Sequence, residues 1–463
     1  MTVADSRKMG DSTVGAHEGE ENMAKQEVSK SVPRIVIVGG GAGGLELATA
    51  LGNSLGRSGQ AEILLLDCSR THIWKPLLHE VAAGTLDVSD DELDYLAHAH
   101  GNHFRFVLGR MDGLDRTEKK VTIAPMSGAD GSLLVPERTL SYDYLVIAVG
   151  SVCNDFGVPG VLQHCLFLDT TEQAESFHHK LLEAYMRAHA KGGVDTPGEL
   201  DVAIVGGGAT GIELSAQLHQ ATRLLSAYGL DNVRPSDIRL RLIEASPTLL
   251  PGLPPRLSHS TLMELQKLGV EVHLGEQVVS VTEDALHTAK GHVIPAAIKV
   301  WAAGVKAPDF LAGLGLEVTR TNQIRVRPTL QTVTDDAVYA IGDCAACPWP
   351  GQGDKLVPPR AQSAHQMASH VASNLKRQLR NRPLTDYHYT DYGSLVSLGS
   401  YSTVGNLMGN LLGSVMIEGF IARMVYWSLY KMHQFALFGP VRVTLIMLNH
   451  FLSRRIRPRI KLH

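Results

Sequence analysis

Two nine-residue stretches nearly repeat each other, VGGGAGGLE at 38–46 and VGGGATGIE at 205–213. Each satisfies G-x-G-x-x-G, through Gly39, Gly41 and Gly44 in the first copy and Gly206, Gly208 and Gly211 in the second. In such a turn the first glycine permits a tight bend and the second lets backbone amides approach a pyrophosphate. The third lets helix and strand pack closely, so the phosphates meet the positive end of a helix. Carboxylates follow where a ribose would lie: Asp67, 23 residues after Gly44, and Glu244, 33 residues after Gly211. The second spacing exceeds the usual value of about 20, and AYGLDNVRPSD reads as a loop inserted after the helix. A carboxylate there accepts from ribose hydroxyls and repels a 2'-phosphate, so the second cradle favours NADH over NADPH. Arg239 and Arg241 lie nearby, and by strand alternation they share one face.

Other residues carry chemistry by type. Gln362 and Gln366 stand four apart in PPRAQSAHQMASHVASNLKRQL, a helix opened by prolines, and so share one helical face. Cys344 and Cys347 have dithiol or metal spacing, but no second Cys or His pair lies at zinc-finger distance, and His365 falls in a different element. No metal site is expected.

The elements that must position these residues are legible from apolar runs. RIVIV (34–38) is a buried strand, LELATALG a helix, EILLLD a strand ending in Asp67, and YDYLVIAVG an inner strand of a parallel sheet reaching Gly150. The pattern restarts with DVAIVGGG, continues with RLRLIEA and closes with IKVWAAG, ending at Gly304. This internal duplication predicts an α/β chain with two Rossmann-like dinucleotide-binding domains. AVYAIGDCA then returns to a β-run.

The 463 residues are too many for one ordinary core. A net charge of −4 gives no general attraction for nucleic acid, and five scattered cysteines form no disulfide framework, which fits a reducing compartment. No run of 18 apolar residues predicts a spanning helix. Between Gly419 and His463 stand eight Lys or Arg and no Asp or Glu, interleaved with FIARMVYWSLYKMHQFALF and VTLIMLNHFL. Phe420, Met424, Trp427, Tyr430 or Lys431, and Gln434 or Phe435 follow helical spacing. Basic, aromatic and amphipathic, this segment reads as a helix lying in an anionic phospholipid surface.

Two cradles in this arrangement resemble the two-dinucleotide flavoproteins. WKPLLHEVAAG (74–84), GGGATGIELSAQL, WAAGVKAPDFL (301–311), YAIGDCA, VPPRAQSAHQMA (357–368) and YGSLVSLGSYSTVGNLMGNLLG (392–413) resemble more closely the type II NADH:quinone dehydrogenases of proteobacteria. The resemblance implies one FAD, held non-covalently in the first cradle, with NADH exchanging in the second. It also implies a membrane quinone, ubiquinone or menaquinone, as acceptor, no proton pumping, and a peripheral place on the cytoplasmic face of the inner membrane. Residue by residue it gives Asp343 to the flavin, Gln362 and Gln366 to the quinone pocket, and Glu213 to the meeting point of nicotinamide and flavin, with proton handling as its role. Tyr392 departs from the pattern, standing where many relatives carry a basic or imidazole side chain.

The expected organisation is a disordered tail (1–32), a first FAD-binding part (33–155), an NADH-binding domain (156–325), a second FAD-binding part with the quinone-site helix (326–390) and a membrane-anchoring domain (391–463). A homodimer through the last segment stays open. Two rival functions remain: a sulfide:quinone or other quinone-linked flavoenzyme, for which Cys165 and Cys347 would be the reactive pair, and a slowly turning-over flavin sensor of NADH.

Overall fold

The computed structural model describes residues 32–128, 130–194, 198–224, 229, 232–398, 402–409 and 413–453. Residues 1–31 of the expected tail (1–32) and the closing basic run 454–463 lie outside them.

The first cassette runs β1 (Arg34–Val38), α1 (Ala42–Leu51), β2 (Glu62–Asp67), a short helix α2 (Leu78–Ala82), β3 (Arg105–Leu108) and β4 (Tyr144–Ile147). The second runs β5 (Val202–Val205), α3 (Ala209–Leu224), β6 (Leu240–Glu244), β7 (Glu271–Leu274) and β8 (Ile298–Trp301). The chain then returns to the first sheet through β9 (Val338–Ala340) and forms a long helix, α4 (Ala361–Gln378). It ends in the strands β10 (Gly393–Leu398), β11 (Ser402–Gly409) and β12 (Gly413–Glu418), followed by α5 (Gly419–Ser453).

The first sheet has the order β9-β4-β1-β2-β3 and the second β7-β6-β5-β8, with every pairing parallel. YDYLVIAVG therefore supplies an inner strand, as its unbroken apolar character requires of a strand covered on both faces. In register, Val38 stands between Leu66 and Ile147, so three strand ends open onto one edge. Such an edge is where doubly wound sheets bind ligands.

Each sheet has its own core. Leu45, Leu47 and Leu51 of α1 pack with Met367, Val371 and Leu375 of α4 on the first, while Ile212, Leu214 and Leu218 of α3 pack on the second. Each of these leucines is fully buried, and truncation of one to alanine costs about 2–5 kcal/mol. Just past α4, Asn381 takes the left-handed conformation (φ 51°) and turns the chain back so that the Arg382 amide donates to the Arg377 carbonyl.

Helix α5 is broken at Gly439 (φ 72°, ψ 170°), immediately before Pro440. The pyrrolidine ring disfavours helical geometry in the residue preceding it, and glycine takes up the strain. The expected apolar side divides at this kink. The side chains of Phe420, Met424 and Trp427 lie outside the described ones; Lys431 and Gln434 are buried and hydrogen-bonded to each other at 2.7 Å. Met432 and Phe435 are exposed before the kink, and a longer exposed apolar row follows it, at Val441, Leu445, Leu448 and Leu452, spaced by four, three and four residues along one face. Among the described residues no helix is long and apolar enough to cross a membrane.

Candidate active site

The two glycine turns have the same geometry. Gly39 (φ 102°) and Gly206 (φ 117°) adopt a conformation unfavourable for other residues, and a Cβ on either would strike the carbonyl of the residue just past the neighbouring strand, Ala148 or Ala302. A Cβ on Gly44 or Gly211 would overlap the carbonyl of the first glycine in its own turn. At Gly41 and Gly208 a Cβ would meet nothing within 4 Å. The middle glycine of each turn thus faces open space at the head of a helix, the shape and polarity a pyrophosphate needs. The strands beside the turns end at Gly150 (φ 70°) and, past Ala302 and Ala303, at Gly304 (φ 63°).

The two acids also make matching bonds. Asp67 accepts from the Gly40 amide (2.5 Å) and the Ser69 amide (2.7 Å), and Glu244 accepts from the Gly207 amide (2.5 Å) and the Ser246 amide (2.7 Å). Each carboxylate staples its glycine turn to the end of the next strand, leaving further lone pairs for ribose hydroxyls. Burial pushes the Asp67 carboxyl up, against the lowering effect of those amides. The nearby arginines are committed elsewhere. Arg241 pairs with Asp201 (2.8 Å) and Glu271 (2.9 Å), and Arg239 with Asp201 (3.2 Å). Both point away from the Glu244 end of the strand, because Asp201 immediately precedes β5.

Asp343 lies past β9 and accepts from the Ser151 hydroxyl at 2.7 Å, while Lys75 donates to the Ser151 carbonyl (2.7 Å) and pairs with Asp169 (3.2 Å). Burial raises the Asp343 carboxyl; the Ser151 hydrogen bond and the Lys75 charge oppose the rise. Together with Gly41 and Asp67, these groups line the carboxyl edge of the first sheet, and their donor and acceptor chemistry fits the pyrophosphate, ribose and ribityl chain of a flavin dinucleotide.

Two glutamates occupy equivalent places, each two residues past the third glycine. Glu213 is 6% exposed and Glu46 7%. Each faces histidine. Glu213 Oε2 lies 3.6 Å from Nδ1 of His79 on α2, whose imidazole is pushed down to about 4 by burial and so is neutral near pH 7. Glu46 accepts from Nδ1 of His433 on α5 at 2.6 Å and from Nδ1 of His365 on α4. No sequence signal pairs Glu46 with His433, 387 positions away. His79 does lie inside WKPLLHEVAAG, between Leu78 and Glu80. Glu80 itself is raised to about 7 by burial and by Asp91.

Gln362 and Gln366 share a face, and both amides grip the chain leading into β10. Gln366 donates to the Thr390 carbonyl (2.9 Å) and accepts from its amide (3.0 Å); Gln362 donates to the Gly393 carbonyl (3.1 Å) and accepts from the Tyr392 amide (3.2 Å). Asp391 completes the clasp by pairing with Arg360 at 3.2 Å. The Tyr392 ring is more than half exposed. Cys344 and Cys347 are buried free thiols packed in the first core; they and Cys165 are pushed up to about 12, chiefly by burial. At neutral pH none is a thiolate.

Residues 33–368 match the pyridine nucleotide-disulphide oxidoreductase family. The chain is 45% identical, over 93% of its length and 99% of the relative's, to a type II NADH:quinone oxidoreductase of Haemophilus influenzae. It is 27% identical, over 81% of its length and 90% of the relative's, to a protein of the same name in Staphylococcus aureus. Among solved structures it is similar to NDH2 of Plasmodium falciparum in complex with NADH (TM-score 0.76, 18% identity, 93% of this chain and 100% of that one). The sulfide:quinone oxidoreductase of Aquifex aeolicus is also similar (TM-score 0.67, 19% identity, 93% and 96%).

Proposed function

The chain belongs to the pyridine nucleotide-disulphide oxidoreductase family and, within it, to the type II NADH:quinone oxidoreductases; from that membership we propose how its own residues carry out NADH:quinone oxidoreduction. The observation that carries the reading is the doubled cradle, two glycine turns each stapled by an acid through the same pair of backbone amides. FAD, bound non-covalently in the first cradle, supplies the two-electron carrier between hydride donor and quinone.

Gly41 and the head of α1 bind the flavin's pyrophosphate, Asp67 its ribose, and Asp343 with Ser151 and Lys75 orients the ribityl side. Gly208 and Glu244 do the same work for NADH. The commitment of Arg239 and Arg241 to Asp201 and Glu271 supports NADH over NADPH, since neither is left to neutralise a 2'-phosphate. Glu213, next to the neutral His79, holds a carboxylate where the nicotinamide approaches; its position two residues past Gly211 supports a proton-handling role. Gln362 and Gln366 shape the quinone site by fixing the 390–393 segment against α4.

The segment 391–463 attaches the enzyme as a peripheral protein to the cytoplasmic face of an anionic membrane. The exposed row Val441, Leu445, Leu448 and Leu452 supports this, because a water-soluble face would not present four large apolar side chains in line. In that arrangement residues 33–155 and 326–390 form the flavin domain and 156–325 the NADH domain. Steady-state NADH oxidation with a short-chain quinone, compared with ferricyanide and oxygen, tests the reading. A rate no faster with quinone than with oxygen refutes it and favours an NADH sensor.

A further inference from the structure

The Glu46 carboxylate is shared by histidines from two helices that meet α1. His365 stands on α4 between Gln362 and Gln366, and its imidazole is about one-third exposed. His433, on α5, is 6% exposed and stacks on Trp74 with ring centroids 6.0 Å apart. Its far nitrogen, Nε2, lies 3.0 Å from Nε2 of the buried His72. Both rings, with Asp91 and Gln434, line a cavity of about 210 Å³ between α5 and the 72–93 segment. A continuous string therefore runs from the cavity through His433 and Glu46 to His365, every link at hydrogen-bonding distance.

NADH delivers two electrons and one proton as hydride, while a quinone becoming a quinol takes two electrons and two protons. One further proton must come from solvent. We infer that the His433–Glu46–His365 string delivers that proton to the quinone site, making Glu46 a positioning and proton-sharing residue and tying quinone reduction to the seating of α5. When the contact between His433 and His72 opens, a proton enters at Nε2 of His433 from cavity water, and the Nδ1 proton moves to Glu46 Oε1. His365 gives its Nε2 proton to a quinone oxygen; a ring flip then turns its remaining N–H toward the quinone and its bare nitrogen toward Glu46, which passes its proton on to that nitrogen. Ring flips restore the starting tautomers. The inference rests on reading α4 as the acceptor-site helix.

The local charges suit this. Burial drives the Glu46 carboxyl up, but the hydrogen bonds from His365 and His433 outweigh it and hold it below its usual value. Its hydrogen bond to Glu46 raises His365 against burial. His72 is forced down to about 3, by burial first and then by His433, so it stays neutral and does not compete for the proton. His98 also neighbours the string; burial first, then Arg442 and His433, lower it to about 4, so it too is neutral near pH 7.

Ferricyanide accepts electrons without protons, so the ratio of quinone to ferricyanide turnover isolates the step. In the full-length enzyme, Glu46→Gln is expected to lower that ratio at least tenfold at pH 8, and less at pH 6 where solvent protons are abundant. His433→Ala should behave likewise, with added imidazole restoring quinone turnover from the adjoining cavity. Flavin content and melting temperature identify a variant that merely unfolds, and His433→Asn, which keeps a donor to Glu46 but carries no proton, replaces it. Parallel loss of both activities, or an unchanged pH profile with quinone, overturns the relay. No quinone turnover by the unaltered protein overturns instead the acceptor-site reading beneath it.

Discussion

Glu244 spends both carboxylate oxygens on backbone amides before any ribose arrives, so its removal acts twice, on the turn and on the ligand. Hydrogen bonds to a charged group contribute about 1.5–3 kcal/mol each. Glu244→Ala is therefore expected to raise the KM for NADH about tenfold and to narrow the preference over NADPH; equal discrimination after the change would mean another residue reads the ribose. The thiols make a contrasting case. Cys165 and Cys347, held protonated by burial, are unsuited to sulfide chemistry. Replacing both by serine should leave NADH oxidation within about twofold, whereas loss of most of the activity would favour the sulfide-linked rival. At this scale the sequence was readable wherever function rests on a local motif. The glycines, Asp67 and Glu244 stand together in the fold as their spacing implied. The histidines opposite Glu46 and Glu213 were not readable, because imidazole at a buried carboxylate depends on helices that meet only in the folded chain. Gln362 and Gln366 were readable as a shared face, yet their grip on the backbone of 390–393 has no signature in a four-residue spacing.

Helices α1 and α3 each begin at a glycine turn, and the strand–turn–helix order was legible because parallel strands buried on both faces must be continuously apolar. Helix α5 was legible only in part. The Gly439-Pro440 pair is plain in the sequence, but a periodicity counted through Phe420 to Phe435 did not reveal that Lys431, His433 and Gln434 turn inward while Met432 and Phe435 stay exposed, or that an exposed apolar row continues beyond the kink. The proposed membrane attachment would then draw mainly on the second half of α5. Removing a leucine from a bilayer surface costs about 1.5–3 kcal/mol, so Leu445→Glu with Leu448→Glu should weaken binding to phosphatidylglycerol vesicles far more than tenfold while leaving ferricyanide turnover in place. Cosedimentation with vesicles measures this, and undiminished binding would move the anchor elsewhere.

In the molecule as a whole, charge burial sets the response to pH. His72, His79 and His98 are held neutral, with folded values of about 3, 4 and 4, so each contributes stability that is complete above the unfolded histidine value of about 6.5 and is lost as pH falls toward its folded value. Glu80, raised to about 7, works the other way, since its ionisation in the unfolded chain above about 4.5 favours unfolding. The Asp67 and Asp343 carboxyls are raised as well, in the same sense as Glu80; between pH 6.5 and 4.5 the three depressed histidines are expected to dominate, so the melting temperature should fall as pH drops through that range, and a flat or rising trend would contradict the burial of these rings. On the proposed function, one chain seats a flavin permanently and NADH transiently, and passes two electrons to a quinone. The visible absorption spectrum of the purified protein, followed without oxygen through addition of NADH and then quinone, tests it most directly. A flavin band that bleaches with NADH and returns fully with quinone is the predicted result; no flavin band, or a bleached band that quinone does not restore, would contradict it.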